Sequence, residues 1–281
     1  EISQLGYGPL HPATLFSARI APPMIGLGLL EAIPEAAILA NADPDDRDGD
    51  GISGRPNRVW DREQQRTVLG RFGWKAGQPT LNQQNAEAFA GDMGLTSSLV
   101  DQDNCTQSQP DCRNTPHGGE PEVSDTILAS VLFYTRNLGV PARRAVDAPQ
   151  VLAGKGLFHQ AGCQGCHTPQ FTTAADAAEP ELANQSIRPY TDLLLHDMGE
   201  GLADNRPEFL ASGREWRTPP LWGIGLSEAV NGHTQFLHDG RARNLLEAIL
   251  WHGGEAEAAK QQVLTFNADE RAALLAFLNS L

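Results

Sequence analysis

The chain has 281 residues, a formal net charge of −14 and no apolar run of the roughly 18–20 residues that a membrane helix needs. The negative charge argues against nucleic acid as a partner and is compatible with a basic redox protein as a partner. Its 28 glycines and 19 prolines, with little strand-like alternation, predict a mainly α-helical, loop-rich fold. Because the first residue is Glu and no signal peptide is visible, we expect a mature form or a fragment of a longer protein.

The first distinctive segment is an acidic loop at residues 43–51, which places Asp46, Asp48 and Asp50 at alternate positions before a glycine. This spacing gathers carboxylates around a hard cation such as Ca²⁺, while glycine allows the turn. The register then departs from an EF-hand, because Asn57 stands where a bidentate Glu is needed. A structural calcium site and a merely solvated acidic loop are therefore both open.

Two cysteines, Cys105 and Cys112, lie in a polar stretch that contains a turn-forming proline. In an oxidising compartment this spacing favours a disulfide that closes a small loop. A pair of free thiols is the alternative.

Apolar residues recur at helical spacing in several later segments. A proline-containing linker at 140–144 follows the first of them, so we place a domain boundary near residue 145, between domains 1–145 and 146–281. The predicted helices are 126–138, 148–160, 244–251 and 268–281.

Directly after the second predicted helix, Cys163, Cys166 and His167 form a C-x-x-C-H motif. Two cysteines at this spacing add to the vinyl groups of one haem, and the histidine that follows coordinates its iron. A redox dithiol needs no adjacent histidine, and a zinc site needs further ligands that no nearby cysteine supplies. The motif therefore predicts one haem c, and a periplasmic or otherwise extracytoplasmic location, because such attachment happens outside the reducing cytosol.

The ligand on the opposite side of the iron is less evident from the sequence. Met198 offers an apolar-flanked thioether in a loop after the motif, although a lone methionine is more often a core residue. We expect His196 and His238 to hydrogen-bond backbone or haem propionates.

A faint internal repeat aligns residues 72–81 with residues 236–245, so that Trp74 corresponds to His238. In each copy an aromatic residue stands two positions before this key residue, and a leucine stands seven after it. Fourteen positions after it, the first copy has Ala88 and the second has His252.

With these motifs in place, the chain resembles the di-haem oxidoreductase family, also described as thiol oxidoreductase-like. This family is related to bacterial di-haem cytochrome c peroxidases and to the di-haem enzyme that matures a tryptophan-derived cofactor. The resemblance covers nearly the whole chain. Its carriers are residues 21–34, 48–51, 69–74, 92–94, 163–167, 190–199, 216–222 and 237–242.

The resemblance implies two cytochrome c-like domains in pseudo-symmetric halves, each with a haem, whereas this chain has one C-x-x-C-H motif. Either a second haem segment lies ahead of residue 1 in the full-length protein, which we favour, or the protein lacks that haem. Trp74 matches a tryptophan between the two haems of relatives. Gln84 matches a distal amide, and Asp92 matches a distal acid if it is shifted by two residues. An ordinary core tryptophan is the alternative for Trp74.

Relatives place their second iron ligand fourteen residues after the histidine of an H-D-G motif, which here selects His252 over Met198 as the partner of His167. By the same count Ala88 leaves the second haem open on one side, as peroxide chemistry requires. The resemblance thus implies a peroxidase-type oxidoreductase that acts on peroxide or another small oxidisable substrate and exchanges electrons with a small redox protein. A non-catalytic electron-transfer cytochrome is the alternative, and a calcium-stabilised binding module with a structural haem is a third.

Overall fold

A computed structural model describes residues 2–6 and 8–281, and shows a helix-rich protein with three small antiparallel sheets. Within this described part, no helix is long and apolar enough to cross a membrane. The helices are α1 (Leu27–Glu31), α2 (Glu35–Leu39), α3 (Leu81–Met93), α4 (Pro110–Arg113), α5 (Asp125–Asn137), α6 (Pro149–Gln160), α7 (Ser227–Asn231), α8 (Leu245–Trp251), α9 (Glu257–Thr265) and α10 (Ala268–Ser280). The paired strands are β1 (Arg58–Asp61) with β2 (Arg66–Leu69), β3 (Phe171–Thr172) with β4 (Ser186–Ile187), and β5 (Leu195–Asp197) with β6 (Glu215–Arg217).

The four helices predicted from periodicity are confirmed as α5, α6, α8 and α10, each to within one residue. Their ends follow from local chemistry. Pro149 is the first residue of α6. Its lack of an N–H costs nothing there, because the first N–H groups of a helix have no acceptor within the helix. Asn267 and Glu270 form a reciprocal capping box at the start of α10.

Helix α3 was not predicted, because its buried face carries polar side chains that hide the periodicity. Gln83 and Asn85 are both buried there, beside small and apolar neighbours. The Thr80 side chain caps the helix by accepting a hydrogen bond from the Gln83 N–H, and Gly94 ends it with a φ of 67°. Helix α9 and the arginine-rich β1–β2 hairpin escaped prediction as well.

Residues on either side of the predicted boundary at residue 145 pack against different apolar clusters. Val140 packs against a cluster built around α1 and α2, and Ala148 packs against a cluster between α6 and α10. The first cluster also contains Leu193 and Trp222 from beyond the boundary, so residues before and after it share a core. The division into 1–145 and 146–281 stays a prediction.

The predicted repeat has matching backbone geometry in its two copies. The Phe72 N–H donates to the Gln78 carbonyl at 2.9 Å, and the Phe236 N–H donates to the Ala242 carbonyl at 2.8 Å, six residues on in each case. In each copy a helix follows, capped by Thr80 in the first and by Asn244 in the second. Ala88 and His252 both stand eight residues after these caps, but Ala88 lies inside α3 whereas His252 follows the end of α8.

Helices α6 and α10 cross at Gly154. A Cβ at this position would lie 1.9 Å from the Ala273 carbonyl oxygen and 2.8 Å from the Phe277 Cβ. Only glycine lets the two helices approach this closely. Because α6 ends three residues before Cys163, the angle of this crossing positions the haem-attachment turn.

We expect Gly154→Ala to destabilise the protein by about 1–3 kcal/mol, because the added methyl group forces the helices apart. Gly156→Ala is the matched control on the same helix, since no atom lies within 4 Å of its added Cβ. That variant should be as stable as the wild type or gain up to about 1 kcal/mol from helix propensity. Urea unfolding measures both, and equal midpoints would show that the crossing is not tight.

Candidate haem site and its surroundings

The C-x-x-C-H segment forms one tight turn at the end of α6. Gly162 leaves the helix with a φ of 80°, and a 3₁₀ turn spans Cys163–Gly165. The His167 N–H then donates to the Cys163 carbonyl at 2.9 Å. Cys163 and Cys166 are free thiols, partly buried, so both attachment sites and the histidine lie on a single short loop.

The His167 ring is held in one tautomer by the backbone. Its Nδ1 lies 2.9 Å from the Tyr190 carbonyl oxygen, and because a carbonyl only accepts, Nδ1 carries the proton. Burial lowers the pKa of His167 to about 4, and the nearby His252 adds to this effect. The ring is therefore neutral at pH 7, with the Nε2 lone pair free to bind a metal.

His252 has the same arrangement on a different element. It follows the last residue of α8, and its Nδ1 donates to the Ala248 carbonyl at 2.7 Å. Burial lowers its pKa as well. Its Nε2 is likewise left for a metal, and His252 is near enough to His167 to help lower the pKa of that ring.

These residues fit a covalently held haem. Two thiols on one turn can take the vinyl groups, and two neighbouring imidazoles each keep Nε2 free while a carbonyl holds Nδ1. The backbone of Met198 lies close to the residue after His252, since a Cβ added to Gly253 would lie 3.1 Å from the Met198 carbonyl oxygen. His252 and Met198 thus both stay candidates for the second ligand of a haem bound at His167.

A buried charged network touches the haem-attachment turn. His196 contacts Asp192 through Nε2 at 2.8 Å and Glu255 through Nδ1 at 2.7 Å, and the Cys166 Sγ lies 3.5 Å from the same Nδ1. Sequence reasoning placed His196 against backbone or haem propionates, and the structure instead pairs it with two carboxylates. No spacing rule in the sequence connects residues 192, 196 and 255.

The ion pair between His196 and Glu255 shifts the pKa values of its two partners in opposite directions. Burial alone lowers the pKa of His196, but its hydrogen bonds to Asp192, Cys166 and Glu255 raise it well above the usual range. Burial alone raises the pKa of Glu255, but hydrogen bonds from His196 and Ser53 lower it to about 2. At neutral pH a protonated imidazole therefore lies between two carboxylates beside Cys166.

The acidic loop is tied to this network through Ser53, whose N–H and hydroxyl both donate to Glu255, at 3.0 and 2.7 Å. Within the loop, ligand atoms of Asp46, Asp48 and Asp50 lie within 4.8 Å of one another, and all three side chains are exposed. The Asp46 carboxylate accepts the Gly51 N–H at 3.1 Å, as in an ordinary turn. Calcium binding stays a prediction.

Trp74 belongs to an aromatic cluster that sequence reasoning did not foresee. Its Nε1–H donates to the Ile20 carbonyl at 2.8 Å, and its ring meets His238 edge-on, with centroids 6.4 Å apart. His238 in turn stacks on Trp216 at 3.7 Å and 13°. Burial lowers the pKa of His238 to about 4. The key residues of the two repeat copies therefore touch each other.

A buried cation lies over this cluster. The Lys75 ammonium lies 4.3 Å from the Trp216 ring centroid, 2.9 Å from Asp204 and 2.7 Å from the Ser212 carbonyl. The Lys75 side chain is fully buried and that of Asp204 is 5% exposed. Arg19 also contacts Asp204, at 3.3 Å. This ion pair joins the segment around Trp74 to the loop before β6.

The structure brings Gln84 close to Gly73, which precedes Trp74 in the chain, and leaves Asp92 further away. Gln84, Ala88 and Asp92 share one face of α3 at intervals of four residues. The Gln84 Oε1 lies 3.9 Å from where a Cβ on Gly73 would be. Asp92 is about 12 Å further along the helix and is exposed. All three positions point toward a single side of the helix.

Cys105 and Cys112 form a disulfide, with Cα atoms 5.7 Å apart. Cys112 lies on the short helix α4. A Cβ added to Gly91 would lie 3.7 Å from the Asn104 side chain, so this loop lies beside the end of α3.

Comparisons with known proteins identify a family. A family model described as "Di-haem oxidoreductase, putative peroxidase" matches residues 10–281. A solved structure of Kuenenia stuttgartiensis hydrazine synthase, pressurised with 20 bar xenon, is 19% identical with a TM-score of 0.39, over 58% of this chain and 57% of that chain. The chain thus spans little more than half of that relative, and a likeness this distant says nothing about activity. No curated protein matches the chain significantly.

Proposed function

Because the chain belongs to the di-haem oxidoreductase family, we propose that it forms part of a peroxidase-type di-haem enzyme. In this proposal residues 163–167 carry the electron-transfer haem, and residues on α3 form the distal wall of the second haem site. The two buried imidazoles of His167 and His252, each with Nδ1 held by a carbonyl and Nε2 free, support it most directly.

Each residue of the site has a distinct task in this function. Cys163 and Cys166 would hold the haem covalently, and the Tyr190 carbonyl fixes the proton of His167 on Nδ1, so that Nε2 would bind the iron. When bound, the haem supplies a one-electron redox centre. A second nitrogen ligand from His252 lowers its reduction potential relative to a thioether from Met198. The Asp192–His196–Glu255 network holds the attachment turn against the acidic loop.

On the side of the second haem, Ala88 offers no ligating atom, which leaves room for peroxide. Gln84 positions water or peroxide by hydrogen bonding, and Asp92 exchanges protons with solvent. Trp74 follows Gly73, which lies close to Gln84, and its ring meets His238, so we assign the electron bridge between the two haems to its indole. We further propose that a small redox protein exchanges electrons with the enzyme, that the enzyme works in the periplasm or an equivalent space, and that Ca²⁺ stabilises the loop at Asp46, Asp48 and Asp50.

A non-catalytic electron-transfer cytochrome is the second candidate. It is favoured by His252, because a haem held by both His167 and His252 would have no open position on its iron. The two functions differ in the number of haems in the full-length protein and in its reaction with peroxide.

Covalent attachment is tested by intact mass. We expect the chain, matured in a host that attaches haem c, to exceed its polypeptide mass by one haem. Cys163→Ser combined with Cys166→Ser should abolish the increase, whereas Cys105→Ser combined with Cys112→Ser should keep it, because these two form the remote disulfide. A colourless wild-type protein that holds zinc would contradict the proposed function.

A further inference from the structure

A cavity of about 220 Å³ is lined by residues from both apolar clusters of the fold. Leu29 and Trp222 belong to the cluster built around α1 and α2, and Leu281 belongs to the cluster between α6 and α10. The other residues of the lining are Val140, Pro141, Ile187, Arg143 and Arg188. The volume is below the roughly 300–1,000 Å³ of sites for drug-sized ligands, so the cavity suits a smaller molecule.

Two arginines lie in this otherwise apolar lining. Arg143 is partly buried, with its guanidinium carbon 5.4 Å from the Phe277 ring centroid and its Nη2 donating to the Ser280 hydroxyl at 2.8 Å. Arg188 is exposed, so the lining reaches the surface there. Within residues 2–6 and 8–281, no carboxylate lies within 4.0 Å of either guanidinium. Two positive charges thus share one small cavity without a carboxylate of the described chain to balance them.

Two hydrogen-bond donors of the lining residues are buried without an acceptor. The Nε of Arg143 and the Nε1 of Trp222 have no hydrogen-bond partner in the part of the chain that the structure describes. The Trp222 side chain is well buried, since the residue is only 6% exposed. Because a buried donor without an acceptor is costly, such groups commonly mark a place where water, an ion or a ligand binds.

The side chain of Tyr190 lies close to the same two arginines. Burial raises the pKa of its phenol, whereas the positive charges of Arg143 and Arg188 lower it. Both guanidinium groups are therefore near one hydroxyl, which can itself donate to an anion. The carbonyl of Tyr190 accepts the hydrogen bond from His167 Nδ1 at 2.9 Å, so the arginines lie beside the residue that holds the haem-binding histidine.

We propose that this cavity binds a small organic carboxylate, whose charged end lies between Arg143 and Arg188 and whose apolar body lies against Leu29, Ile187 and Trp222. Guanidinium groups suit a carboxylate because their planar fork donates two parallel hydrogen bonds to its two oxygens. Six of the eight lining residues are apolar, which favours a ligand with an apolar body over a hydrated inorganic ion. None of the lining residues belongs to the proposed haem site, so this binding does not depend on the proposed function.

Isothermal titration calorimetry of the haem-loaded full-length protein with benzoate at pH 7 tests this site. We expect one benzoate to bind per chain, and Arg188→Gln to weaken that binding about tenfold, because the change removes a charge-assisted hydrogen-bond pair. Since Arg188 is exposed, this variant should fold as the wild type does. Arg113→Gln is the matched control, because Arg113 is exposed and does not line the cavity, and its dissociation constant should equal that of the wild type.

Two further probes separate the charge of the ligand from its apolar body. Benzyl alcohol has the ring without the carboxylate and should bind at least about tenfold more weakly than benzoate. Chloride has the charge without the ring and should not displace benzoate at equal concentration.

No binding of benzoate, or equal affinities of Arg188→Gln and the wild type, would overturn the site. Benzyl alcohol that binds as tightly as benzoate would show that the arginines hold no ligand. Chloride that displaces benzoate at equal concentration would identify a site for inorganic anions instead, and the proposal would again be wrong.

Discussion

His252→Ala should convert the ferric haem of this chain from low-spin to high-spin, and Met198→Ala should leave it low-spin. The Nε2 of His252 is free because its Nδ1 donates to the Ala248 carbonyl, so the ring presents a lone pair beside His167. Losing it leaves five strong ligands, or a weakly bound water as the sixth. Visible absorption and electron paramagnetic resonance distinguish the two spin states.

His252→Met is the matched control for this prediction. A thioether at the same position should restore six-coordination and raise the midpoint potential relative to the wild type, because replacing a histidine ligand by methionine raises it. The opposite pattern, in which Met198→Ala gives a high-spin haem and His252→Ala does not, would show that Met198 is the ligand.

Asp204→Asn should cost about 3 kcal/mol of stability, since removing one partner of a buried ion pair leaves the other charge uncompensated. The Lys75 side chain is fully buried and would lose the negative charge of the carboxylate to which it donates, while neutral acceptors such as the Ser212 carbonyl remain. Denaturant unfolding at pH 7 measures the loss. Asp45→Asn is the control, because the Asp45–Arg47 pair is exposed, and its unfolding midpoint should not move.

The same ion pair predicts a pH dependence. Burial alone raises the pKa of Asp204, but hydrogen bonds from Ser17 and Lys75 lower it to about 2 in the folded protein. A carboxylate with a depressed pKa stabilises the fold above its unfolded value of about 4 and loses this contribution as the pH falls toward 2. Wild type and Asp204→Asn should therefore converge in stability in acid. A constant gap between them down to pH 2 would contradict this origin.

The parts of the fold that depend on local chemistry were predictable from the sequence. Helices α5, α6, α8 and α10 follow from apolar periodicity and from caps such as Asn244. The C-x-x-C-H motif is a local signature as well, since its geometry is contained in five residues. The repeat was visible because Phe72 and Phe236 close the same backbone turn.

The remaining features depend on contacts between residues far apart in the chain. Glu255 reaches His196 across 59 positions and Ser53 across 202, and no spacing in the sequence indicates either contact. The stack of His238 on Trp216 brings together residues from different loops. Helix α3 was not predicted because two residues of its buried face are polar. Gln83 and Asn85 satisfy their side chains by hydrogen bonds, to Trp60 and Thr135 among others, and a search for apolar periodicity does not detect such positions.

Titrating hydrogen peroxide into the reduced full-length protein, with the haem content counted by mass beforehand, tests the proposed function most directly. The account predicts two covalent haems per polypeptide and oxidation of the haem at Cys163 and Cys166 by stoichiometric peroxide. Trp74→Ala should slow that oxidation without changing the haem count. A protein with one haem that peroxide leaves reduced would contradict the account and identify the chain as a simple electron carrier.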